Sequence, residues 1–103
     1  MLAVLNGYNS QALNTMQTIA DASTVQSITP PEGTDFVVVE AHQHDIRIRF
    51  DGTDPTSTVG FKIVKDTPTT ISYGQDVTIK LIGIENGPAV YWQAFRTKRD
   101  NDA

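Results

Sequence analysis

The chain has 103 residues, with 8 Lys and Arg against 12 Asp and Glu, a formal net charge of −4 and no cysteine. That length fits one domain, and the absence of cysteine excludes a disulfide framework or a thiolate metal site and fits assembly in a reducing compartment. A sequence pI of about 4.8 lacks the basic footprint of nonspecific nucleic-acid binding, and no apolar run approaches the roughly 18–20 residues that cross a bilayer.

Met1-Leu2-Ala3-Val4-Leu5 is apolar, has no basic leader and breaks at Asn6-Gly7. It reads as an extended N-terminal arm or a first strand rather than a signal peptide, with residues 1–14 as the arm. Between Ser10 and Ala22, Ala12, Leu13, Met16, Ile19 and Ala20 have helical spacing, but two threonines and the alternation of Met16, Thr18 and Ala20 favour extended backbone. Short extended runs follow at Thr15–Ile19 and Thr24–Ile28, closed by Thr29-Pro30-Pro31-Glu32-Gly33.

The clearest period-two pattern lies between residues 36 and 50. Val37, Val39 and Ala41 share one face; Ile46, Ile48 and Phe50 share the next, with Arg47 and Arg49 behind them. A hairpin turning at Gln43 and His44 sets Ala41 against Ile46, Val39 against Ile48 and Val37 against Phe50. The same register puts Glu40 opposite Arg47 as a structural pair. The turn is not the favoured Asn-Gly or Asp-Gly type, so a four-residue loop also fits.

Further runs alternate at Val59, Phe61 and Ile63, at Thr69–Tyr73, and at Val77, Ile79 and Leu81. Val90–Phe95 is apolar on both faces. Turn chemistry separates them at Asp51-Gly52-Thr53-Asp54-Pro55, Lys65-Asp66-Thr67-Pro68, Tyr73-Gly74-Gln75-Asp76 and Glu85-Asn86-Gly87-Pro88. About seven or eight short strands at this spacing make an all-β sandwich or barrel over residues 15–96. Residues 97–103 form a polar C-terminal tail.

The chemistry-bearing residues are few. His42 and His44 alternate, with Asp45 beside them, but no third metal ligand is apparent, so a solvated hairpin tip is the stronger reading. Asp51, Gly52, Thr53, Asp54 and Pro55 read as a structural turn whose side-chain oxygens satisfy loop amides. Their spacing does not match a calcium loop. No serine elbow, no phosphate-binding glycine loop and no separated Ser–His–acid set is present. The residues therefore name no catalytic, cofactor or metal site and point to a non-enzyme. Tyr91, Trp92 and Phe95 cluster in the closing strand. Trp92 suits the core, whereas Tyr91 and Phe95 suit core, a subunit interface or a sugar platform.

One stretch of residues carries a family resemblance. It runs from Thr24-Val25-Gln26-Ser27-Ile28-Thr29-Pro30-Pro31-Glu32-Gly33 through Glu40 to Ile46-Arg47-Ile48-Arg49-Phe50-Asp51-Gly52-Thr53-Asp54-Pro55-Thr56, then Gly60. A hydrophobic strand at Val77–Ile84 and a closing Tyr91-Trp92-Gln93-Ala94-Phe95-Arg96 complete it. The pattern resembles small virion structural proteins of tailed bacteriophages. It departs from them in having a single aspartate before Gly52. The resemblance implies an antiparallel β-sandwich, the jelly roll being one form of it, without catalytic residues or cofactors. It implies a capsid decoration (cement) protein, assembled in the host bacterial cytoplasm and carried in the virion. The partners would be the major capsid protein or other virion proteins, and copies of the chain itself in a dimer or trimer, with no nucleic acid or membrane. A tail or head–tail junction protein, or a carbohydrate- or host-surface-binding module, are the alternatives. The candidate interface residues are Leu2, Val4 and Leu5 in the arm and Tyr91 and Phe95 in the last strand, because termini order when a partner holds them.

Overall fold

The computed structural model describes the backbone of residues 2–5 and 8–98 and the side chains of residues 10–97. Among the described residues there are ten strands: β1 (Leu2–Leu5), β2 (Tyr8–Ala12), β3 (Gln17–Ile19), β4 (Gln26–Ile28), β5 (Phe36–Ala41), β6 (Ile46–Arg49), β7 (Phe61–Ile63), β8 (Thr69–Ser72), β9 (Ile79–Gly83) and β10 (Val90–Lys98). Each run of alternating residues from Thr15 onward holds one of β3 to β10. Valine, isoleucine and threonine dominate these runs, and such branched side chains fit a half-buried pleated surface.

The strands form two antiparallel sheets. Sheet A runs β1-β2-β10-β5-β8, with β3 also paired to β10; sheet B runs β4-β9-β6-β7. Taken from β3 onward, the chain gives one layer ordered β3-β10-β5-β8 and a facing layer ordered β4-β9-β6-β7. Apart from the β6–β7 hairpin, every connection in this part crosses between sheets. This is the double-sheet jelly-roll arrangement, an antiparallel sandwich.

The core lies between the layers. Val37, Val39, Ala41 and Val90 of sheet A face Ile46, Ile48, Ile79 and Leu81 of sheet B, all nearly or fully buried. Removing this apolar area from water is the main favourable term in folding, about 25 cal/mol per Å².

The register corrects the hairpin expected over residues 36–50. β5 pairs with β10 and β8, while β6 pairs with β7 and β9. Residues 42–45 are thus a corner between sheets. Val37, Val39 and Ala41 do meet Ile46 and Ile48, but across the core rather than side by side. Glu40 stands opposite Tyr91, and Arg47 opposite Lys62 and Ile82. Glu40 and Arg47 therefore lie on the two outer faces of the sandwich, separated by its ~10 Å thickness, and form no pair.

The N-terminal segment also differs from a free arm. β1 and β2 form an antiparallel hairpin, and Ala12 to Asn9 pair with Phe95 to Lys98 of β10. The register brings Leu5 opposite Tyr8; Asn6 and Gly7 lie outside the described residues. Thr97 and Lys98, expected in the tail, continue β10; residues 99–103 lie outside the described residues.

Candidate functional site

The site follows from how the sandwich ends at β7 and β8. β7 closes sheet B and β8 closes sheet A, and the layers stay open along this side. Ile63 reaches the core. Phe61, opposite Ile48 and so facing the same way, is 68% exposed. Its ring stacks on Phe50 with centroids 5.7 Å apart and planes 27° apart.

Two concavities share these rings. One of about 440 Å³ opens between the sheets and is lined by Ile48, Phe61, Ile63, Ile71, Ser72 and Val77 among others. A second of about 470 Å³ is bounded by Arg49, Phe50, Asp51, Gly60 and Phe61. Val59 and Val64, 48% and 54% exposed, flank Phe61 in sequence. The sequence pattern puts Val59 and Phe61 on one face with Ile63, which is buried. Alternation reports which way a side chain points, whereas burial also needs a strand on the other side.

The loop between β6 and β7 holds this surface in place. Arg49 donates two hydrogen bonds to Asp51, at 3.1 and 2.6 Å, and the Thr53 amide donates to Asp51 Oδ1 at 3.2 Å. The Arg49 contact first, then the Thr53 amide, pull the Asp51 carboxyl from its ordinary 3.8 down to about 2. Asp54 accepts from Lys80 Nζ at 3.0 Å, and Pro55 is fully buried beneath. Thr56 Oγ1 accepts the amides of Thr58 and Val59 at 3.3 and 3.0 Å.

These bonds also settle a conflict in the sheet. Arg47 faces Lys62 and Arg49 faces Lys80 across neighbouring strands, and like charges directly opposite are unfavourable. Asp51 and Asp54 neutralise the second pair. In the first, Lys62 turns to Asp45 at 3.4 Å. Arg47 Nη1 donates to the Gly60 carbonyl at 3.2 Å and its Nε to the Ser57 carbonyl at 3.5 Å.

The His42–Asp45 corner is built for connection. The Lys65 amide donates to Asp45 Oδ1 at 2.8 Å, and the Gln43 amide, at a left-handed φ of 69°, donates to Asp66 Oδ1 at 3.1 Å. The Lys65 amide chiefly holds the Asp45 carboxyl below its usual range, against the opposing pull of desolvation, with Lys62 and Lys65 adding to the lowering. His42 Nδ1 lies 3.6 Å from Asp66 Oδ1, and its ring meets Tyr91 edge-on. Among the described residues no three of His, Cys, Asp and Glu converge as metal ligands.

The other candidates are dispersed. Tyr91 is half-buried beside Glu40 on the outer face of sheet A. Phe95, also half-buried, stacks on Phe36 at 5.2 Å, which occupies one of its faces. Trp92 packs partly buried against the core. Leu2, Val4 and Leu5 lie in β1, and their side chains are outside the described residues. The structure thus brings none of these five interface candidates to the Phe61 edge.

Chemically, the Phe61 edge offers exposed apolar surface whose neighbouring carboxylates are already engaged by cations or amides. Such a surface suits burial of a partner's apolar side chains. No family model, no curated protein and no solved structure matches the chain.

Proposed function

We propose that the chain is a non-enzymatic structural component of a tailed-phage virion, and specifically a capsid decoration protein that binds the shell through its β7–β8 edge. The observation that carries the docking role is Phe61, 68% exposed, stacked on Phe50 and lining both concavities, one of them an apolar groove between the sheets. Monomeric proteins seldom leave large contiguous apolar patches in water unless a partner covers them. The phage assignment rests on the Arg47-Ile48-Arg49-Phe50-Asp51-Gly52-Thr53-Asp54-Pro55-Thr56 resemblance, and this segment builds the loop that displays Phe61. The jelly-roll fold is compatible with a shell protein but does not specify one. Each copy would make a modest contact, and many copies on a repeating lattice would add their effects.

The exposed Phe61 ring, backed by Phe50, also favours a second reading, a platform for host-surface sugar. One experiment separates the two. The full chain is mixed with particles lacking it and with immobilised glycans, alongside Phe61→Ser. Saturable binding to particles that Phe61→Ser weakens at least tenfold supports decoration. Binding to glycans alone supports the sugar platform, and the absence of both refutes the docking role of this edge.

A further inference from the structure

Sheet A has a second border, β1, at the end opposite β8, and among the described residues no strand pairs with its outer side. We propose that β1 is a self-association edge, pairing antiparallel with β1 of a second copy to form a two-fold dimer. This does not rest on the shell reading.

The first argument is what guards the other borders. Free edges template pairing with other chains, and proteins blunt them with charge, proline or short length. β7 contains Lys62, β8 follows Pro68, β4 is succeeded by Pro30-Pro31, and β3 is only three residues long. β1 reads Leu-Ala-Val-Leu and has none of the charge or proline guards. The first charged side chain in the sequence is Asp21. The chain carries a net charge of −4, and like net charge works against self-association; the β1–β2 hairpin, the longest of the uncharged border segments, sets no charged side chain against a second copy. Charge therefore favours a second copy as the occupant at this edge.

The second argument is register. The Leu13 amide donates to the Ala94 carbonyl at 2.9 Å, while the Phe95 carbonyl accepts from Asp35 on the β5 side, so Asn9 and Gln11 of β2 aim their backbone groups at β10 and Tyr8 and Ser10 aim theirs at Leu5 and Ala3. Ala3 and Leu5 spend their amides and carbonyls on β2, and Leu2 and Val4 direct theirs to the free border. Two copies satisfy these groups mutually when Leu2 of each faces Val4 of the other. Ala3 then meets Ala3 of the second copy on the two-fold axis, at a pair without hydrogen bonds, where opposing strands approach most closely. The smallest side chain of the strand falls at that point. Two six-stranded sheets become one continuous sheet, with β8 of each copy at its far ends.

Sedimentation and cysteine cross-linking of the full chain test this. The native chain is expected to sediment as a dimer that dissociates on dilution. Val4→Pro removes an outward amide that β2 does not use, a position an edge strand tolerates, and is expected to be monomeric with its far-UV spectrum retained. The chain has no cysteine of its own, so Ala3→Cys reports directly on the axis. Opposing Cβ atoms there lie about 4.5–5.5 Å apart, and oxidation should give a covalent dimer. Leu5→Cys, about 14 Å from its mate along the strand, should not cross-link. A native chain that is monomeric or trimeric at every concentration overturns the proposal. So does a folded Val4→Pro dimer, or a Leu5→Cys variant that cross-links more readily than Ala3→Cys.

Discussion

Replacing Gly60 by alanine probes the loop that carries the candidate site. Gly60 has φ of +136°, and a Cβ built there would lie 3.1 Å from the Ile48 carbonyl oxygen and 3.2 Å from both Arg47 Cβ and the Ile48 amide. These neighbours belong to the adjacent strand β6 and cannot swing aside as a flexible side chain does. Holding a non-glycine residue in so sparsely populated a conformation costs about 1–3 kcal/mol. A value of about 2 kcal/mol lowers the melting temperature of a domain this size by about 8–16 °C, at about 4–8 °C per kcal/mol. Gly74→Ala is the control, since that position has open space and no left-handed φ. Thermal and urea melts of both variants measure the difference. A Gly60→Ala melting temperature within about 2 °C of the native chain, below any cost in the stated range, would refute the close packing of this loop on β6.

Two further perturbations test particular contacts. Glu40 and Arg47 sit on opposite outer faces, so a double-mutant cycle of Glu40→Ala and Arg47→Ala should couple by less than about 0.5 kcal/mol, the level of independent sites. A coupling of about 1 kcal/mol or more would restore the hairpin. Asp51 contributes stability above its ordinary pKa of 3.8, and that contribution is lost as pH falls toward its folded value of about 2. Melting temperatures of the native chain and Asp51→Asn should therefore differ at neutral pH and converge between about pH 4 and pH 2. A gap unchanged across that window would show that the Arg49 contact does not hold the carboxylate.

The positions of the strands from β3 onward were legible in the sequence because alternation and turn residues are local signals. Their partners were not. Val37, Val39 and Ala41 match Ile46 and Ile48 equally well as a hairpin or across a core, since both arrangements bring apolar faces together. Opposite charge on Glu40 and Arg47 pointed to the hairpin, but each charge is accommodated without the other. Arg47 uses backbone carbonyls supplied by the β6–β7 loop, contacts that no pairwise reading of strands contains. The β1–β2 hairpin had a signal, Asn6-Gly7, which also reads as a simple break in an apolar run. Phe61 had none: its exposure arises because β7 ends its sheet, a property of topology rather than of local pattern. The turn at Asp51–Pro55 was legible as a turn, whereas the cations its acids hold, Arg49 and Lys80, emerged only from the register of β6 with β9.

The most direct measurement for the central claim, docking through the Phe61 edge, is amide hydrogen exchange of the full chain free and bound to particles. Exchange reports local opening and covering of backbone groups. The account predicts new protection concentrated at residues 59–64 and in β8, with β4 and the His42–Asp45 corner unchanged. Protection confined to other borders, with residues 59–64 exchanging as in the free chain, would contradict it.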